Sequence, residues 1–142
     1  MKGQCLFCDK GFLKDGFENR IIKFKHSTVV LDTNQFYRGK VIVMFNRHEE
    51  DLFSLKPEER KDFWEEVVKI SEAVKKATKA DRMNYALLCN REHHLHWHVI
   101  PRYKDDPYFT TTPWSNPAFG KQKHISESEM KSLKDLILKN LK

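Results

Sequence analysis

The chain has little of what builds a phosphate-binding loop from backbone alone. It holds five glycines in 142 residues, and neither the P-loop nor the dinucleotide-binding pattern occurs among them. Any phosphate chemistry must therefore use side chains. No apolar run approaches the roughly 18 to 20 residues of a membrane span. The opening MKGQCLFCDKGFLKDG also lacks the apolar core of a secretion signal. A cytoplasmic protein without a membrane partner is expected. Three cysteines are too few and too odd in number for a disulfide scaffold. Two of them, Cys5-x-x-Cys8, have a spacing that in a reducing compartment reads as metal ligation or redox chemistry. No repeat, low-complexity tract or linker divides the sequence, so one domain over residues 1–142 is expected.

Hydrophobic residues make up 39% and charged residues 32%, and ten phenylalanines, four tyrosines and three tryptophans supply a packed core. A formal charge of +6 favours anionic partners: nucleotides, nucleic acid or an acidic surface. Charge alone does not choose among them.

RIIKFKHSTVVLD (20–32) reads as two short strands and KVIVMFN (40–46) as a third, separated by a turn that ends on Gly39. The segment 54–80 has helical periodicity, with Phe63, Val67, Val74, Ala77, Trp64 and Val68 on one broad stripe and Pro57 in its first turn. MNYALLCN (83–90) and LHWHVIPRY (95–103) predict an antiparallel hairpin around NREH, with Cys89 a small core residue and Pro101 ending or edging its strand. Residues 104–123 hold three prolines and form an irregular excursion. Ser126-x-x-Glu129 is a capping box for a last helix, with Met130, Leu133, Leu136, Ile137 and Leu141 on its apolar face. The result is an α+β fold, an antiparallel β-sheet with one long helix and a C-terminal helix.

In HHLHWHVIPRY (93–103) the strand period of two sets His94, His96 and His98 on one face, roughly 7 Å apart in sequence steps, and Leu95, Trp97 and Val99 on the other. One strand histidine is usually structural. Three in strict alternation need employment, because burying titratable rings together is costly unless each is bonded or chemically used. His93 breaks the alternation and is expected in solvent. Two chemistries fit the face. The histidines could ligate an open-site metal in a metal-dependent hydrolase or oxygenase, or one could attack phosphorus while its neighbours support the developing charge. A non-catalytic nucleotide-binding module is a third reading.

His94-Leu-His96-Trp-His98-Val-Ile resembles the signature of the histidine-triad (HIT) superfamily of nucleotide hydrolases and transferases. The likeness extends over about residues 4–105, taking in LFCD, the strand before Gly39, Arg47-His48 and the long helix. Residues 104–142 form a C-terminal extension outside it. The resemblance implies a HIT-like fold, a homodimer, and a nucleotide rather than nucleic acid as partner. It implies His96 as the nucleophile that forms a nucleotidyl-histidine, and His98 as its positioning partner. Cys5, Cys8, His48 and His94 resemble the family's zinc site, in which four ligands make Zn2+ structural. Asp32 matches a ribose-binding acid, and Asn90 a phosphate-contacting amide. Where many members have a histidine after the glycine, this chain has Lys40, which can face a phosphate but cannot act as a neutral imidazole. The loop before the triad carries Arg91 and Glu92 in place of the residues that often assist the leaving group.

Overall fold

The long helix starts where proline can stand without losing a bond, at the first helical position. In a computed structural model, which describes residues 5–141, helix α2 runs Pro57–Thr78, with the Glu59 side chain accepting from the Lys56 N–H. It ends on Lys79 in the left-handed conformation, whose N–H reaches the Lys75 carbonyl. Before it come a short turn of helix, α1 (Leu6–Asp9), and strands β1 (Arg20–Lys23), β2 (Ser27–Leu31) and β3 (Val41–Phe45). After it come β4 (Arg82–Ala86), β5 (His96–Arg102) and helix α3 (Glu127–Asn140). The strands form one antiparallel sheet in the order β1-β2-β3-β5-β4, which places β5 inside the sheet and β4 at its edge.

The sheet has one face for the core and one for chemistry. Val29, Leu31, Val41, Val43, Phe45, Leu95 and Val99 pack against Phe63, Val67, Ile70 and Val74 of α2. Leu133 and Ile137 of α3 enter the same core, and Ser126 Oγ accepts from the Glu129 N–H at the start of that helix. The turn between β2 and β3 is held by the buried Gln35 side chain, which donates to the carbonyls of Asp32 and Lys40 and accepts from the Gly39 N–H. Gly39 has φ +94, and a Cβ there would fall 2.5 Å from Thr78 Cγ2. Any side chain there would strain the backbone and force the Thr78 side chain at the end of α2 to move.

Two local expectations change, and one alternative is resolved. The strand expected over 83–90 stops at Ala86, because Cys89 takes φ +54, which no strand accommodates. Cys89 therefore lies in a loop, yet it still packs half-buried against the main core, with its Sγ 3.6 Å from the His94 carbonyl. Of the two places expected for Pro101 the strand edge is the one found: it pairs with Met83 on the β4 side, while the last β3 partner is Val99. Beyond Val99 the strand is free on one side, where a missing N–H does no harm. Trp64 and Val68 are 45% and 42% exposed and stand outside the core, with the Trp64 ring beside Tyr85 of β4 and Trp97 of β5. The excursion after β5 is wound into two short 3-10 turns at Pro113–Ser115 and Pro117–Lys121. No helix among the described residues is long and apolar enough to cross a membrane.

Candidate functional site

The register of β5 against β3 pairs His96 with Met44 and His98 with Ile42. The three histidines lie on the sheet face opposite α2, while Leu95 and Val99 go into the core. Each ring of the triad has its own set of partners.

His94 is fully buried. Its Nε2–H donates to the Phe45 carbonyl at 2.8 Å, leaving Nδ1 as a lone pair that faces Cys5 Sγ and Cys8 Sγ, each 3.4 Å away. His48 Nδ1 is 3.8 Å from Cys8 Sγ. The ligand atoms of Cys5, Cys8, His48 and His94 all lie within 4.8 Å of one another, a grouping the sequence had placed on three separate segments. Two sulfurs and two imidazoles at these separations could hold a metal ion in tetrahedral geometry. The donor set is also uncomfortable without one. Burial, then the adjacent Cys5 sulfur, pushes the Cys8 thiol up to about 11, a penalty that a dication reverses. Supporting bonds fix the ligands. The Cys5 N–H donates to Asp9, the Leu6 N–H donates to Glu92, and Arg47 beside His48 grips the Glu59 carboxylate with two nitrogens at 2.6 and 2.9 Å.

His96 is 5% exposed. Its Nδ1–H donates to the His94 carbonyl at 2.6 Å, so the tautomer is set and Nε2 carries an unshared pair. The edge of Phe7 packs on this ring, with centroids 4.9 Å apart. Burial is the main cause that holds its pKa below the usual 6.5. His98 stands 5.0 Å beyond, ring to ring. Its Nδ1 accepts from Lys40 Nζ at 3.1 Å, which puts the proton on Nε2. Burial, then the Lys40 charge, drives the His98 pKa down to about 3, so this ring is neutral throughout the physiological range.

Lys40 is 3% exposed and forms a short ion pair with Asp32, whose other oxygen accepts from the Asn34 N–H. Asp32, Lys40 and His98 are thus brought together at one end of the triad. Asn90 is not among them: it is exposed in the loop before β5, where its carbonyl meets exposed His93, and it lines a separate hollow with Glu50, Asp51 and Phe53. Sequence reasoning missed two participants. Glu92 ties α1 to the triad loop, and Trp114 in the excursion sets its indole edge-on to His98 at 5.6 Å. Spacing carries no signal for either, since both contacts are made across the fold.

An antiparallel sheet whose interior strand displays three alternating histidines, the first joined to a Cys2His2 cluster, defines a histidine-triad protein. The chain belongs to the HIT domain family, whose model matches residues 16–105. Among solved structures it is similar to a histidine triad protein of Sinorhizobium meliloti, with 27% identity and a TM-score of 0.78 over 86% of this chain and 88% of that one. A histidine triad protein of Marinobacter aquaeolei gives 26% and 0.71 over 86% and 87%. A Zn-bound histidine triad family protein of Mycobacterium smegmatis gives 23% and 0.72 over 96% and 94%. A search of curated protein sequences finds no match.

Proposed function

We propose that the protein is a hydrolase or nucleotidyl transferase of nucleoside 5′-phosphate derivatives, dinucleoside polyphosphates or nucleoside phosphoramidates, acting through His96. The observation that carries this reading is the His96 Nδ1–His94 carbonyl bond, which leaves a neutral Nε2 with nothing to do but react. In the first step the Nε2 pair forms a bond to the α-phosphorus, and the bond to the leaving group breaks with its electrons going to that group. Water or another acceptor then forms the new phosphorus–oxygen bond and returns the pair to Nε2. One hard displacement becomes two easier ones.

His98, with its proton on Nε2, donates to a phosphoryl oxygen, and its Lys40 contact keeps that tautomer. Asp32 binds the ribose and Lys40 adds positive charge beneath the phosphate; Asn90, in its separate hollow, takes no part. Cys5, Cys8, His48 and His94 hold structural zinc, the metal borne by the Mycobacterium smegmatis relative. Zinc there ties α1 to the triad strand and supplies no reacting group, because all four positions are filled by protein. Residues 1–142 act as one HIT-like domain, with 104–142 as its C-terminal extension. The chain pairs as a homodimer along the edge strand β4 and the flank of α2, where Tyr85, Leu88, Trp64 and Val68 are exposed. Sedimentation at micromolar concentration reads a dimer on this account and a monomer against it.

Stereochemistry separates this mechanism from a metal-bound water attacking directly. A substrate chiral at the α-phosphorus gives product of retained configuration after two displacements, whereas inversion would mean a single one. The pH profile adds a second check. Attack needs neutral imidazole, and burial depresses both His96 and His98, so the neutral forms persist as pH falls below 6.5. The acid limb of kcat/KM is therefore expected below the ordinary histidine value. A limb at or above 6.5 contradicts the assigned environment.

A further inference from the structure

Residues 106–122 lie past the segment that matches the family, yet they are fastened onto the histidine face. Arg102, 1% exposed and on the same face of β5 as the triad, donates to Asn84 Oδ1, to the Tyr108 and Thr111 carbonyls and to Asp106. Tyr37 donates to the Pro113 carbonyl, and Asn34 Nδ2 to the Phe119 carbonyl. These bonds hold Trp114 against His98 with nearly half of the indole still exposed.

Between Trp114 and the loop that precedes the triad lies a cavity of about 370 Å³, lined by Arg91, Trp114, Asn34, Asn116, Phe119 and Gln122 among others. Its character is specific. The two asparagine side chains are spent on the local turns, since Asn34 Oδ1 accepts from Phe36 and Lys123 and Asn116 Oδ1 from Ala118. The Arg91 guanidinium and the Gln122 amide make no hydrogen bond among the described residues, and Gln122 is held at φ +56, a conformation non-glycine residues rarely adopt. An unpartnered guanidinium suits a phosphate. A half-exposed indole beside it suits the face of a heteroaromatic base. The cavity begins one ring beyond the nucleophile, because Trp114 touches His98 and His98 touches His96.

We infer that this cavity is a leaving-group site, in which Trp114 stacks on the second base of a dinucleoside polyphosphate while Arg91 pairs with a phosphate remote from the one attacked. The inference rests on the His96 reading above and deepens it: the excursion selects large, anionic, aromatic leaving groups over a small amine. An amine would leave the cavity to water and gain neither contact.

Two substrates that share the attacked adenylyl group and differ in what leaves test this: diadenosine tetraphosphate and adenosine 5′-phosphoramidate. In Arg91→Met and in Trp114→Leu, the ratio of kcat/KM for the first to that for the second is expected to fall by about tenfold or more. Misfolding lowers both rates together and leaves the ratio intact, so an unchanged ratio in both variants overturns the site. Binding gives an independent readout. ATP, the group that leaves from diadenosine tetraphosphate, is expected to lose about tenfold more affinity than AMP in each variant, by calorimetry. If the wild-type protein turned over neither substrate, the His96 reading would fall, and the ATP measurement would still decide the cavity. Equal ATP affinity in wild type and both variants, or no ATP binding to any, overturns it.

Discussion

His96→Ala is expected to lower turnover of a dinucleoside polyphosphate by roughly 10⁴-fold or more, because removing a covalent nucleophile leaves only binding and charge stabilisation behind. The fold should tolerate the change. His96 Nδ1 bonds the His94 carbonyl and lies 3.8 Å from Cys89 Sγ, and its ring meets Phe7 and His98 edge-on, contacts that neighbouring side chains can partly replace. The cavity left is that of one imidazole, and Cys89 Sγ already stands near the same carbonyl at 3.6 Å. His96→Asn keeps polarity and some volume there, and should melt closer to wild type while remaining equally inactive. Loss of only a few-fold in either variant would mean that another group, or a metal-bound water, makes the bond to phosphorus. His98→Ala is expected to cost less, since a neutral donor worth one hydrogen bond is removed rather than the reacting atom.

Cys5→Ser and Cys8→Ser are expected to abolish tight zinc binding, from one ion per chain to essentially none, and to lower Tm by on the order of 10 °C. The size of the effect follows from what the cluster joins. Cys5 caps α1 and Cys8 lies on it, His48 follows β3 and His94 precedes β5, so one ion closes three segments far apart in sequence onto each other. Beneath them Phe7, Val30 and Met44, flanked by half-buried Leu6, Phe12, Leu13, Phe17 and Ile42, form a second core apart from the main one, and Cys5 and Cys8 are themselves part of it. The main core is built from β-strands, α2 and α3 without these residues, which is why loss of the metal should loosen rather than unfold the protein. Elemental analysis with a melting curve reads both quantities. Zinc retained by both serine variants but lost in His96→Ala would invert the account, making the triad the metal site.

The sequence made the triad legible because strand alternation is a short-range rule: once His96 and His98 occupy β5 and His94 leads into it in extended register, their common face follows. The long helix was equally plain, from its period and from Pro57. Strand ends were less so. Nothing in MNYALLCN announces that Cys89 takes a left-handed backbone, and residue types alone extended the strand past Ala86. The stripe on α2 was drawn too wide for a similar reason. Apolar character at Trp64 and Val68 marks a face without saying whether it meets this chain's core or something else. The cluster of Cys5, Cys8, His48 and His94 rested on resemblance, because no local pattern joins residues 89 positions apart. The excursion was opaque altogether. Its order depends on the buried Arg102, whose four acceptors come from β4 and from three residues of the excursion itself.

Those long-range contacts matter for chemistry because each fixes a proton. The His94 carbonyl sets the tautomer of His96, Lys40 sets that of His98, and the Phe45 carbonyl leaves His94 Nδ1 open toward the two sulfurs. Three neighbouring imidazoles are thereby held in fixed tautomers by different partners, and the proposed roles of metal ligand, nucleophile and donor follow from that difference.

The account is tested most directly by quenching the protein with acid-free denaturant within a single turnover of diadenosine tetraphosphate and mapping the modified peptide by mass spectrometry. An adenylyl group on the His96 ring, absent from His94 and His98 and absent in His96→Ala, is the predicted result. Full product formation with no adduct on that ring, or the adduct on a different side chain, would contradict it.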